Sequence, residues 1–173
     1  MTFERLQCLS AELSARETAN SGKILPAAHI FQREEVTAFE AVVYNPVICL
    51  ILQGRKEMNI GQQYVSLAKG DALLVSHDLP VTSKITEASS DAPYRALILS
   101  LDLGILRSLY EQVGEAVSDA HDAKSLSASA ADPAWVDPIV RYLELMDAPL
   151  DVQVLGPMVL KEIHYRLLLS PIG

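Results

Sequence analysis

The sequence predicts a mainly β protein with α-helices, in which a small barrel or jelly roll is followed by C-terminal helices. The chain has 173 residues, of which 50% are hydrophobic and 21% charged, as expected of one globular domain with a real core. Between residues 24 and 101, short apolar or alternating segments are separated by turn residues, which is typical of all-β folds. Beyond residue 101 the apolar residues recur every three to four positions, which indicates helices.

Residues 1–22 are predicted to form an N-terminal helix or arm. Apolar residues recur there at helical spacing, at Phe3, Leu6, Leu9 and Leu13. Thr2 is placed to cap the first turn, and the sequence Asn20-Ser21-Gly22 favours a helix end. The segment is therefore expected either to pack on the domain or to move as an arm.

Residues 23–101 are predicted to form the β-barrel, with eight strands. Their predicted bounds are Ile24 to Phe31, Val36 to Val43, Val47 to Gln53, Lys56 to Ile60, Tyr64 to Leu67, Ala72 to Ser76, Val81 to Glu87 and Tyr94 to Leu101. Asn45-Pro46, Gly54, Gly61 and Lys69-Gly70-Asp71 are among the separating turn signals. So many strands in so short a segment predict a small barrel or jelly roll.

Residues 102–173 are predicted to be a helical dimerisation and linker region of the same domain. Asp102 is expected to cap a helix that ends near Gly114, and residues 118–132 are expected to form a loop. Pro138 and Pro157 are each placed in the first turn of a later helix. These helices carry more apolar surface than one barrel face needs, which favours a homodimer contact over core packing alone. The predicted contact residues are Leu143, Met146, Ile163 and Leu167.

The charge balance and hydropathy exclude several classes of protein. Lys and Arg number 14 and Asp and Glu 22, which gives a net charge of −8 and a poor surface for a phosphate backbone. The chain is therefore not expected to hold DNA by itself. The longest apolar run, residues 46–52, is far too short to span a membrane. The N-terminus also lacks the apolar region of a secretory signal, so a cytoplasmic protein is expected.

The sequence contains no motif that predicts catalysis, metal binding or a cofactor. No two of the four histidines, His29, His77, His121 and His164, lie within five residues of each other, so the usual imidazole spacing of a metal site does not occur. Nucleophile-elbow and phosphate-binding glycine motifs do not occur either. Cys49 lies inside an apolar strand and is predicted to be reduced and buried. The sequence therefore favours a protein that is not an enzyme and binds no metal.

Polar residues next to the predicted strands are candidates for contacts with a ligand inside the barrel. Gln53 and Tyr94 are flanked by apolar residues, and each needs a hydrogen-bond partner if it is buried. Arg55 and Lys56 are instead predicted to lie on the solvated exterior, although alternation alone does not tell which strand face points inward. The predicted ligand-binding residues are Gln53, His77, Ser83 and Tyr94.

Three segments of the chain share their order and spacing with one known family. The first runs from Tyr44-Asn45-Pro46 through Gln53-Gly54-Arg55-Lys56, and the second from Lys69-Gly70-Asp71 to Leu101-Asp102. The third runs from Leu145 to Leu168, so that the match covers roughly residues 25–173. The chain thereby resembles the N-terminal domain of AraC-type bacterial transcription regulators, in the branch with a cupin-like effector domain.

The resemblance implies a fold, a function and partners. It implies a cupin-like double-stranded β-helix, or jelly-roll barrel, that binds a small-molecule effector and forms a homodimer. In that family two helix-turn-helix units follow, so DNA is expected to be contacted only through such a domain beyond residue 173. Two alternatives stay open: a stand-alone cupin-fold enzyme, such as an isomerase or a metal-dependent oxygenase, and a dimerisation module with a filled barrel and no ligand.

Overall fold

The computed structural model describes residues 2–114 and 126–172, which divide into a β unit and a helical unit. The β unit comprises residues 28–100 and 126–131, and the helical unit the remaining described residues. The helices are α1 (Thr2–Asn20), α2 (Leu103–Val113), α3 (Pro133–Glu144), α4 (Pro149–Val154) and α5 (Gly156–Leu169), with a short 3₁₀ helix at Leu145–Asp147. The strands are β1 (Ala28–Arg33), β2 (Glu40–Tyr44), β3 (Val47–Gln53), β4 (Arg55–Ile60), β5 (Gln63–Ala68), β6 (Asp71–Val75), β7 (Leu79–Glu87), β8 (Tyr94–Ser100) and β9 (Leu126–Ala130).

The β unit is a sandwich of two antiparallel sheets. One sheet has the strand order β1-β8-β3-β6-β9 and the other the order β2-β7-β4-β5. The first eight strands thus pair as β1 with β8, β2 with β7, β3 with β6 and β4 with β5. This nested pairing is that of an eight-stranded jelly roll, so the predicted fold class is confirmed.

The first two strands begin later than predicted, and local chemistry explains both differences. β1 begins at Ala28, and Pro26 just before it has no backbone N–H to donate to a neighbouring strand. β2 begins only at Glu40. At Thr37 the side-chain hydroxyl, and not the backbone carbonyl, accepts the hydrogen bond from Ile85, so the regular strand pairing does not extend to this residue. The Ile85 N–H donates to Thr37 Oγ1 at 3.0 Å, and the Thr37 N–H donates to the Ile85 carbonyl at 3.0 Å.

The structure corrects the loop predicted for residues 118–132. Residues 126–130 form the edge strand β9, in which Ala128 pairs with Leu73 and Leu126 with Val75 of β6. Ser and Ala are weak strand formers, but pairing with an existing edge satisfies their backbone groups whatever the side chains prefer. Residues 118–125, with His121, lie outside the described part of the chain.

Capping side chains explain the starts of α2 and α3 in the helical unit, in which α3 contacts α1 and α5. As predicted, Asp102 caps α2, its Oδ1 accepting the Ile105 N–H at 3.1 Å, and Pro157 lies in the first turn of α5. The prediction for Pro138 is wrong, because this residue lies inside α3. The helix begins earlier, at a stronger start formed by the Asp132 cap and a proline in the first turn.

Replacement of Asp132 by alanine tests this start. The Asp132 Oδ1 accepts the Ala134 N–H at 2.8 Å, and loss of such a cap costs about 1 kcal/mol. Urea denaturation of Asp132→Ala is expected to show that loss in the free energy of unfolding. Asp137→Ala is the matched control, because it removes the same charge from an exposed position inside the same helix. Equal losses in the two variants would contradict the capping role.

Candidate functional site

The strand register determines which side chains face the interior of the sandwich. One buried apolar cluster lies there, with members from both sheets: Val47, Cys49, Ile51, Met58, Leu67, Leu73, Val75, Val81, Ile85, Tyr94, Ala96 and Leu126. Because side chains alternate along a strand, two polar residues belong to the same inner face. They are Lys56, two positions before Met58 on β4, and Ser83, midway between Val81 and Ile85 on β7.

Lys56 is a charged residue of this interior. Its side chain is buried, with 5% of the residue exposed. The Lys56 Nζ donates to the Tyr44 Oη at 2.8 Å and lies 3.8 Å from the Cys49 Sγ. It also lies 5.2 Å from the centroid of the Tyr44 ring. Among residues 2–114 and 126–172, no carboxylate forms an ion pair with Lys56.

The electrostatic surroundings keep Lys56 charged and Tyr94 neutral. Burial of Lys56 disfavours the ammonium, whereas Cys49, Tyr94 and Tyr44 favour it when their side chains are ionised, and the balance raises the pKa of Lys56 above its ordinary 10.5. Burial also raises the pKa of the Tyr94 phenol. Cys49 raises this pKa further, whereas Lys56 lowers it. At neutral pH the Tyr94 phenol therefore keeps its proton, and the Tyr44 Oη, which accepts from Lys56 at 2.8 Å, stabilises the ammonium beside it.

Tyr94, the first residue of β8, is held in place from two sides. Its ring meets that of Phe31 edge-to-face, with centroids 6.1 Å apart. The Gln53 Nε2 donates to the Pro93 carbonyl at 2.7 Å, which fixes the chain just before Tyr94. Gly54 has a φ of +86°, and its backbone lies close to Tyr94. A Cβ at Gly54 would lie 3.0 Å from the Tyr94 Cα. The turn between β3 and β4 thus positions one wall of the site.

The predicted ligand-binding residues are not all brought together. Tyr94 is buried on the inner face, Ser83 is half-buried on the same face, and Gln53 is half-buried beside the start of β8. His77 is exposed, with its Nδ1 3.2 Å from the Ser76 Oγ. No described contact joins His77 to Lys56 or Tyr94.

Sequence reasoning missed Lys56 and Tyr44. The prediction that Lys56 lies on the exterior is wrong, whereas Arg55 is exposed as predicted. The prediction followed the general rule that lysine is rarely buried. It did not use the alternation of residues along β4. Lys56, Met58 and Ile60 alternate along β4, a pattern that assigns all three to one face of the sheet.

The four predicted dimer-contact residues lie in the core of the single chain. Leu143, Met146, Ile163 and Leu167 are all buried. The exposed apolar surface of α4, α5 and the residue between them is formed by other residues: Leu150, Val154, Leu155, Met158 and Leu169.

His164 is a second buried polar group, and its contacts are structural. The His164 Nε2 accepts the Asp102 N–H at 2.8 Å, and its Nδ1 donates to the Leu160 carbonyl at 2.6 Å. Burial lowers the pKa of His164 below 6.5, although the Leu160 carbonyl and the Asp102 carboxylate act in the opposite direction. Both nitrogens are satisfied only in the neutral ring, which thus ties α5 to the cap of α2.

Two further classes of feature are not seen in the described part of the chain. Over residues 2–114 and 126–172, no three His, Cys, Asp or Glu side chains lie close enough together to hold a metal ion. Over the same residues, no helix has the length and apolar character needed to cross a membrane.

Comparison with solved structures shows a fold shared with ToxT. The apo K231A variant of ToxT from Vibrio cholerae strain SCE256 is 10% identical, with a TM-score of 0.50 over 78% of this chain and 53% of that one. ToxT from strain O395, bound to (E)-4-(8-methylnaphthalen-1-yl)but-3-enoic acid, is 12% identical, with a TM-score of 0.51 over 80% of this chain and 57% of that one. The chain thus spans about half the length of these proteins, and at such identities the likeness shows the fold alone.

Comparison at the level of sequence shows the family. No curated protein is a significant match to this chain. Residues 24–173 match the family model of the AraC-type transcriptional regulator N-terminus, and this range covers most of the chain. The chain therefore belongs to the family of AraC-type transcriptional regulator N-terminal domains.

Proposed function

We propose that this chain is the effector-sensing domain of an AraC-type regulator, in which it controls DNA binding by a helix-turn-helix domain of the same protein. One observation carries the proposal. The interior of the jelly roll retains an ammonium, Lys56, beside the hydroxyls of Tyr44 and Tyr94. A purely structural core gains little from a buried charge, since apolar replacements are often as stable or more stable.

Chain connectivity supplies a route from this site to the helices. Phe31 and Tyr94 touch each other and lie on β1 and β8. β1 follows Ala27, whose N–H donates to the Tyr142 Oη of α3 at 3.2 Å. β8 leads to Asp102, which caps α2. A ligand that moves the two rings would therefore act on strands that continue into anchored residues.

Such coupling regulates only under one thermodynamic condition. The effector must bind one arrangement of the domain more tightly than another, because a ligand with equal affinity for both shifts no population. The proposed site meets this condition if Tyr94 and Phe31 change position when the interior is occupied.

Binding is favoured over catalysis as the task of the site. An amine that stays protonated is a poor nucleophile, and Lys56 is hydrogen-bonded to the Tyr44 Oη as a donor, with its pKa shifted upward rather than towards neutrality. We therefore propose a regulatory, non-enzymatic domain that acts in the cytoplasm, where its DNA target lies. We also propose that it forms a homodimer through exposed apolar residues of α4 and α5, among them Leu150 and Met158.

A gel-shift experiment tests whether effector sensing and DNA binding belong to different domains of the regulator. The regulator that carries this chain is expected to retard DNA fragments selected from its genome, whereas residues 1–173 alone are expected not to do so at the same concentration. The physical reason is the net charge of −8, which repels a phosphate backbone. Equal retardation by the isolated chain would contradict the proposed function.

A further inference from the structure

Lys56 differs from an outer lysine of the same sheet in what surrounds it. On the outer face, Lys84 of β7 is half-buried and lies 3.5 Å from the Glu57 Oε2 of β4. On the inner face, the polar contacts of Lys56 are a hydroxyl and a thiol, and none of the described ion pairs includes it. Buried charges in proteins are normally paired, so the inner ammonium lacks a counter-charge.

Several hydrogen-bond donors converge at this point without matching acceptors. An ammonium has three donors, of which one is used by the Tyr44 Oη at 2.8 Å, while the Cys49 Sγ at 3.8 Å is only a weak acceptor. The Tyr44 hydroxyl accepts from Lys56, and no acceptor for its own proton is found among the described residues. Tyr94, whose phenol is affected electrostatically by Lys56, keeps its proton as well. This donor set suits the two oxygens of a carboxylate.

The inner-face side chains next to these donors are apolar, and those on the edge strands β1 and β2 are partly exposed to solvent. Phe31 of β1 pairs with Ala96, and Val42 of β2 pairs with Val81, so both share the inner face with core residues. They are nevertheless 38% and 39% exposed. Deeper positions on the same face, such as Met58, are fully buried. The inner face thus leads from exposed apolar side chains towards the ammonium.

We propose that Lys56 is the counter-ion for the carboxylate of an apolar organic acid that binds in the interior of the jelly roll. The Tyr44 and Tyr94 hydroxyls donate to the same carboxylate, and the apolar body of the acid lies against the inner-face side chains near Phe31 and Val42. This assignment rests on the proposed sensing function and gives it a chemical class of effector.

Thermal-shift and calorimetric titrations with matched pairs of compounds test the assignment. The probes are phenylacetate with phenylacetamide and octanoate with octanamide, because each amide keeps the apolar body and loses the charge. At least one acid is expected to raise the Tm of the wild-type chain, and its amide is expected to bind at least about tenfold more weakly, as the loss of a charge-assisted hydrogen bond implies. Equal binding of acid and amide, or no binding of either acid, would overturn the assignment.

Two lysine variants locate the charge that matters. Lys56→Met keeps the length and apolar stem of the side chain, and it is expected to abolish binding of the acid while raising the Tm of the ligand-free chain. Lys84→Met removes the same charge from the outer face and is expected to leave the affinity unchanged. Retained binding in Lys56→Met would overturn the proposal, as would a parallel loss in Lys84→Met.

A third variant keeps the test decisive if Lys56→Met does not fold. Tyr44→Phe removes one proposed donor and leaves the ammonium in place, and it is expected to weaken the acid about tenfold without affecting the amide. Unchanged affinity for the acid would count against the site. If an amide binds and its acid does not, the carboxylate assignment fails while effector sensing stands. DNA binding by the isolated chain would instead remove the sensing function itself.

Discussion

Gly54→Ala is expected to lower the free energy of unfolding by about 3 kcal/mol or more. The residue has a φ of +86°, and a left-handed conformation costs an alanine about 1–2 kcal/mol. A Cβ at this position would also lie 2.5 Å from the Glu87 carbonyl oxygen and 3.0 Å from the Tyr94 Cα. Both are backbone atoms, so the strain cannot be relieved by a side-chain rotation, and overpacking of this kind adds about 1–3 kcal/mol.

Gly61→Ala separates the two contributions. Gly61 also has a positive φ, of 58°, but apart from its chain neighbours no atom of residues 2–114 and 126–172 lies within 4 Å of a Cβ built there. Only the conformational cost applies, so a loss of about 1 kcal/mol is expected. Urea denaturation followed by circular dichroism measures both variants. If Gly54→Ala were no less stable than Gly61→Ala, the close approach of the β3–β4 turn to Tyr94 would be refuted.

The strands that could be predicted from sequence are those whose boundaries are fixed locally. β3 was predicted with its observed bounds, Val47–Gln53, because six buried apolar residues lie between Pro46 and Gly54, two strong turn signals. β9 was not predicted, because its Leu-Ser-Ala-Ser-Ala sequence has little strand preference of its own. It forms by pairing with β6, and that contact joins residues more than 50 positions apart, which no local pattern reveals.

The candidate site was predicted less well than the fold, for a physical reason. The inward position of Tyr94 is predictable because a polar residue among apolar ones demands a partner, and Tyr94 is buried; its role in ligand binding stays a prediction. The burial of Lys56 was not predicted, because the free energy of burying a lysine depends on neighbours from other strands. Its observed neighbours come from β2, β3 and β8, and only the register of both sheets brings Tyr44, Cys49 and Tyr94 to one point.

His164→Leu is expected to lower the free energy of unfolding by about 3 kcal/mol at pH 8. The substitution leaves the Asp102 N–H without its acceptor at 2.8 Å, and an unsatisfied buried donor costs about 1–3 kcal/mol. It also removes the contact of Nδ1 with the Leu160 carbonyl and replaces a planar ring by a branched side chain in a packed core. His77→Leu, at an exposed position, is the control and is expected to be nearly neutral.

The pH dependence of this loss distinguishes a hydrogen-bonding role from simple packing. Because the pKa of His164 is lowered from 6.5 by burial, the unfolded chain takes up a proton before the folded chain does. The stabilisation by the neutral ring is therefore complete above pH 6.5 and is lost as the pH falls below that value towards the folded-state pKa. Other groups titrate alike in both proteins, so the stability gap between wild type and His164→Leu is expected to narrow between pH 8 and pH 5. A constant gap over that range would mean that His164 contributes through its volume alone.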